Sequence, residues 1–140
     1  MTNQPHGQLP NMFPTLRYED AAAAIEWLHK AFGFEQHMVV PGPDGTIAHA
    51  QLRYGPGMIM LGTSRDDEFG LKSPRDLGGV TQGVYITVDD VDAHYARAQE
   101  AGAEIVRDLS ETDYGSREYA ARDLEGNLWF FGTYRPNADK

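Results

Sequence analysis

The chain has 140 residues, a formal charge of −9 and no cysteine, and 41% of it is hydrophobic, which suits a globular protein with a real core. The charge opposes a phosphate-backbone binder, so no nucleic-acid partner is expected, and the missing cysteines exclude disulfide scaffolds, thiolate metal sites and thiol nucleophiles. No apolar run approaches the ~20 residues that span a bilayer, and MTNQPHGQLP lacks the basic-then-apolar order of a secretory signal, so the expectation is a cytoplasmic protein with no membrane partner.

Residues 1–12, His6 among them, read as a loose arm. FPTLRY is a short β-type run. Asp20 is placed to cap a helix, because its carboxylate can accept from the first free amides. Ala21, Ala24, Ile25, Leu28, Ala31 and Phe32 then recur at helical spacing, and Gly33 ends the run where a left-handed residue is needed. HMVV is a second strand, and a turn at 43–46 leads into IAHAQLRY. Gly55-Pro56-Gly57 leads into MIML; it joins two strands and opens no helix, which excludes a phosphate loop. Residues 64–81 are rich in charge and read as a solvated linker or lid. The order then repeats: VYITV, an Asp90 cap, a stripe of Val91, Tyr95, Ala98 and Ala101, a stop at Gly102, then EIVRD, SREYAARD and LWFF. Residues 136–140 are a tail.

Laying residues 13–63 over 83–133 makes the repeat explicit. At this offset of 70, seven of 51 positions are identical: Asp20/Asp90, Ala23/Ala93, Ala31/Ala101, Gly45/Gly115, Ala50/Ala120, Gly62/Gly132 and Thr63/Thr133. The predicted fold class is α+β, with two tandem βαβββ modules (13–63 and 82–135) forming an open, cup-shaped mixed sheet. Each module covers one sheet face with its helix and leaves the other free, and a cleft between modules is the natural ligand site.

The segments TLRYEDAAAAIEWLHKAFGFE, DGTIAHAQLRYGPGMIMLG, GVYITVDDVDAHYARAQEAGAEIV and RDLEGNLWFFGTY resemble the vicinal oxygen chelate superfamily of glyoxalases, bleomycin-resistance proteins and extradiol dioxygenases. The resemblance implies homodimers and, in metal-dependent members, one divalent ion held by His, Gln or Glu from the first and last strand of each module. Carried over position by position, those places hold Phe13, Met60, Gly83 and Phe130. Phenyl rings and glycine offer no donor atom, and a thioether prefers copper(I). The expectation is therefore no metal, no cofactor, and an apolar floor that binds flat or greasy molecules by burial and stacking.

Strand alternation extends the candidate ligand-binding set. Thr15 and Arg17 accompany Phe13, Met58 accompanies Met60, and Tyr85 and Thr87 accompany Gly83. His49 and Gln51 share a polar face, directed either to the cleft or to water. Arg17 can pair with an anionic ligand or with one of the neighbouring acids. His49 and Glu118 are candidate bases, and His49 with His37 is a candidate relocated metal pair; a packing role for the histidine and a surface role for the glutamate are the alternatives. His29 and His94 are expected on the surface or in helix packing, Trp129 in the core, and Trp27 at the core edge or a dimer surface. The leading functional expectation is a drug-sequestering or resistance-type protein that binds a small, partly apolar molecule without the usual metal. The alternative is a lyase, isomerase or dioxygenase acting on a small oxygenated substrate.

Overall fold

A computed structural model describes residues 9–139. His6 and most of the expected arm therefore lie outside the described residues. The first module runs β1 (Thr15–Tyr18), α1 (Ala21–Phe32), β2 (Glu35–Pro41), β3 (Ile47–Tyr54) and β4 (Gly57–Thr63). A short helix, α2 (Pro74–Leu77), follows. The second module runs β5 (Gly83–Thr87), α3 (Val91–Glu100), β6 (Glu104–Glu111), β7 (Arg117–Arg122) and β8 (Leu128–Gly132). The sheets have the matching orders β1-β4-β3-β2 and β5-β8-β7-β6, with β1/β4 and β5/β8 parallel and the other pairs antiparallel. The fold is thus α+β, built from two tandem βαβββ modules.

Local chemistry explains the shared plan. Asp20 and Asp90 each accept from the third following amide (Ala23 and Ala93) at 3.1 Å, starting α1 and α3. Gly33 closes α1 at φ 85°, a conformation a side chain would strain. Two expectations needed adjustment. Strands β2 and β6 extend beyond HMVV and EIVRD; both are edge strands with exposed polar residues and irregular register, so their alternation is blurred. The segment 64–81 is not uniformly solvated. Ser73 and Pro74 are buried, and the Ser73 hydroxyl accepts from Asp76 N at 3.2 Å to cap α2.

The repeat is not one uniform offset. Thr15 lies opposite Met60 and Tyr85 opposite Phe130, which keeps the spacing of 70. In the third strands, however, Ala50 lies opposite Leu61, whereas Tyr119 lies opposite Phe131, a spacing of 69. Ala50 therefore corresponds to Tyr119 and His49 to Glu118, and the Ala50/Ala120 identity is not a structural equivalence.

Both modules feed one core. Phe32, at the end of α1, packs against Trp129 and Phe131 of β8 with ring centroids 5.7 and 4.7 Å away, and stacks on His94 of α3 at 6.1 Å. Trp129 is fully buried, as its alternation required, and Trp27 packs at the core edge while donating to Ala101 O at 3.2 Å. The helix-bearing sides of the two sheets are thus joined within the chain. The free faces point away from that core.

Candidate functional site

A cavity of about 690 Å³ lies between the modules. Its position follows from strand lengths. β1 begins opposite Met60, so the first residues of β4 have no neighbour on that side, and β5 is the edge of its own sheet. The cavity occupies the gap between these two edges. Tyr54, the Gly55–Gly57 turn, Met58 and Ile59 wall one side; Val84 to Thr87 wall the other; Ala93, His94 and Arg97 of α3 complete the lining. Phe34 deepens the apolar lining, while Asp89, Asp90 and Arg135 bring charge to it.

Two α3 side chains that line this cavity are fixed by hydrogen bonds. His94 Nε2 lies 2.8 Å from Phe32 O; a carbonyl only accepts, so this nitrogen carries the proton. Nδ1 then accepts from the Tyr119 hydroxyl at 2.6 Å. Burial, aided by the Arg97 charge, holds the His94 pKa below its ordinary value against the pull of Phe32 O. This neutral, doubly bonded imidazole has no free nitrogen for proton transfer. Arg97 donates to Lys30 O and His29 O, each at 2.8 Å, capping the C-terminal carbonyls of α1. Tyr54 is pushed to a higher pKa by burial and by Asp89.

The structure distributes the predicted residues over three places. Met58, Tyr85 and Thr87 line the inter-module cavity. Thr15 and Arg17 line a second cavity of about 320 Å³, between β1 and the segment 70–82. Arg17 is only 6% exposed and donates to Asp67 at 3.2 Å, the internal pairing weighed against ligand contact; burial raises the Asp67 pKa, but hydrogen bonds from Arg17 and Phe69 N outweigh it and hold the carboxyl low. His49, Gln51, Met60, Gly83, Phe130 and Glu118 line neither cavity. Met60 and Gln51 are neighbours on one free face, where Gln51 Nε2 donates to His49 Nε2 at 3.1 Å. The register sets His49 opposite Val40, not His37, so the candidate histidine pair is not assembled. Phe130, 39% exposed, and Glu118 lie on the free face of the second sheet, and Phe13 precedes β1 at the surface.

The four positions where a divalent ion would be ligated hold two phenyl rings, a thioether and a glycine, a donor set that does not fit such an ion. Among the described residues no three His, Asp or Glu side chains converge as a metal cage. No helix among them is long and apolar enough to cross a membrane.

Sequence reasoning missed the polar joint that holds the cavity's two sides together. Asp123 Oδ1 accepts from the amides of Glu125, Gly126 and Asn127, and Oδ2 accepts from Tyr18 and Trp129. Glu125, buried as well, accepts from Glu19 N at 2.7 Å and Asp20 N at 2.8 Å, pinning the β1–α1 corner to the second module. The signal was an acid-rich Asp-Leu-Glu-Gly-Asn turn directly before an apolar strand, where a solvated turn has no need of two carboxylates.

Comparison with known proteins agrees with this architecture. Two mycobacterial relatives, Mb0911c of Mycobacterium bovis and Rv0887c of Mycobacterium tuberculosis, are each 39% identical over 125 residues, covering 88% of this chain and 82% and 74% of theirs. TioX from Micromonospora sp. ML1 is 36% identical with a TM-score of 0.74, over 90% of this chain and 99% of that one. The fosfomycin resistance protein FosX of Listeria monocytogenes shares the fold at 11% identity and a TM-score of 0.64, over 90% and 92% of the two chains. The family model described as Glyoxalase/Bleomycin resistance protein/Dioxygenase superfamily matches residues 12–131. The chain belongs to that superfamily.

Proposed function

We propose that this chain binds a small, partly apolar molecule in the cavity between its modules, as a sequestering or resistance-type protein that does not use the divalent ion of metal-dependent relatives. The observation that carries the reading is the cavity of about 690 Å³, a size that suits a drug-like ligand, walled by Phe34, Tyr54, Met58, Ile59, Val84 and Ile86. The donor-free residues at the four ligand positions support it.

A homodimer belongs to the same proposal. Phe13, Met38, Val40 and Phe130 are exposed apolar side chains outside the shared core, and a second copy is the occupant that would bury them. Sedimentation of a stable monomer at working concentration would remove this part.

The binding reading is tested by a thermal-shift screen of flat aromatic molecules, with native mass spectrometry of protein purified without an affinity tag. A hit should raise Tm in proportion to the logarithm of its concentration. One tightly held metal ion per chain, lost on His49→Ala or His37→Ala, would overturn the metal-independent reading, and a library without a single stabilising compound would overturn the binding reading.

A further inference from the structure

We propose that the occupant of the inter-module cavity is an apolar molecule with an α-amino-acid head, its carboxylate held by Arg97 and Tyr54 and its ammonium by Asp89. The inference rests on the proposed binding in that cavity and names the chemical class of what binds there.

Arg97 is a guanidinium already set in place. Its Nε and Nη2 donate to Lys30 O and His29 O, each at 2.8 Å. Folding thus fixes the side chain before any ligand arrives, and Nη1 is left to donate elsewhere. A Cβ placed on Gly33 would lie 3.3 Å from Arg97 Nη1 and 3.5 Å from Tyr54 Cε1, so the guanidinium and the phenol ring stand side by side. Gly33, at φ 85°, puts no side chain in that gap.

Asp89 directly precedes the α3 cap. Its neighbour Asp90 is occupied there, accepting from Ala93 N at 3.1 Å. Among the described residues neither Asp89 nor Arg97 belongs to an ion pair. Both charges reach the Tyr54 phenol: burial and Asp89 raise its pKa, and Arg97 pulls the other way. Charges felt at one phenol lie within reach of one small head group.

These groups set the polarity of the ligand. Two donors, Arg97 Nη1 and the Tyr54 hydroxyl, call for a carboxylate. Asp89 repels a plain carboxylate and attracts an ammonium. A singly charged molecule gains one pairing and meets one repulsion, whereas a zwitterion makes both pairings. The lining as a whole is balanced in the same way, with Asp89 and Asp90 against Arg97 and Arg135. Phe34, Met58, Ile59, Val84 and Ile86 receive an apolar body. A volume of about 690 Å³ admits one at least as large as an indole.

The test is a ¹H–¹⁵N NMR titration of the whole chain at neutral pH with four indoles. They are L-tryptophan (zwitterion), indole-3-propionate (anion), tryptamine (cation) and tryptophol (neutral). Tryptophan should bind at least about fivefold more tightly than each of the others, with shifts centred on Gly33, Tyr54 and residues 86–97. Arg97→Gln should weaken tryptophan and indole-3-propionate severalfold but not tryptamine. Asp89→Asn, at an exposed position, should weaken tryptophan and tryptamine severalfold but not indole-3-propionate, with Tm unchanged. This crossed pattern compares ligands within one variant, so it survives any loss of stability in Arg97→Gln. Tryptophol binding as tightly as tryptophan, or a tryptophan affinity that neither variant alters, overturns the head group and leaves the cavity reading standing. No saturable shift at these residues with any of the four up to about 10 mM also overturns this inference; the cavity reading falls only if the thermal-shift screen is empty as well.

Discussion

Tyr18 and Asp123, 105 residues apart, share a buried hydrogen bond of 2.6 Å that ties the first strand of one module to the last turn of the other. Burial pushes the Asp123 pKa up, while its bonds from Tyr18 and Trp129 pull the other way. In Asp123→Asn an amide would have to face donors at one of two fully used oxygens. A loss of about 2–4 kcal/mol is expected, with a smaller loss of about 1–2 kcal/mol for Tyr18→Phe. Urea unfolding measures both, and an Asn variant within about 0.5 kcal/mol of the parent would remove this joint from the account.

Acid should loosen the junction through His94. Its pKa is lowered in the folded chain, chiefly by burial, so on acidification the unfolded chain takes up the proton first. The His94 contribution is intact above its ordinary value of about 6.5 and is lost as pH falls from there toward the lower folded value. Denaturation midpoints at about pH 7.5 and 5.5 should differ less in His94→Gln than in the parent. Equal slopes would mean that other groups set the acid response.

Ala93 lines the inter-module cavity from an exposed position on α3. Ala93→Trp should fill part of the cavity from its exposed side while replacing no buried side chain. Any aromatic compound found in the thermal-shift screen should then bind at least about tenfold more weakly, with unfolding free energy within about 0.5 kcal/mol of the parent. Unimpaired binding would move the ligand elsewhere.

Gly132→Ala probes the free face of the second sheet from beneath. Its Cβ would displace Glu118 and Tyr85, both of which can swing aside, so the fold should survive with a cost below about 1.5 kcal/mol. Urea unfolding measures that cost. A loss well above that would show that Glu118 and Tyr85 cannot give way over this residue.

The fold was legible because its punctuation is local. Asp20, Gly33 and Asp90 act on amides within a few residues, and Leu16, Tyr18 and Trp129 announce their faces by alternation. The edge strands were read too short because exposed polar residues carry no periodic signal. The site was less legible, since its geometry depends on how two modules meet. Nothing near Arg17 in sequence reveals that Asp67 folds back onto it, and nothing near His94 reveals that Phe32 O supplies its acceptor. The shift from 70 to 69 between third strands likewise hid the correspondence of His49 with Glu118, which only the ladder register exposes.

The position of Phe32 bears on how far the two modules depend on each other. Its ring is fully buried, yet Trp129, Phe131 and His94, all against it, belong to the other module. The first module on its own would leave this residue and its neighbours in water, a heavy loss for a unit of that size. The present interior is thus a contact surface between two similar halves, neither of which closes its core alone.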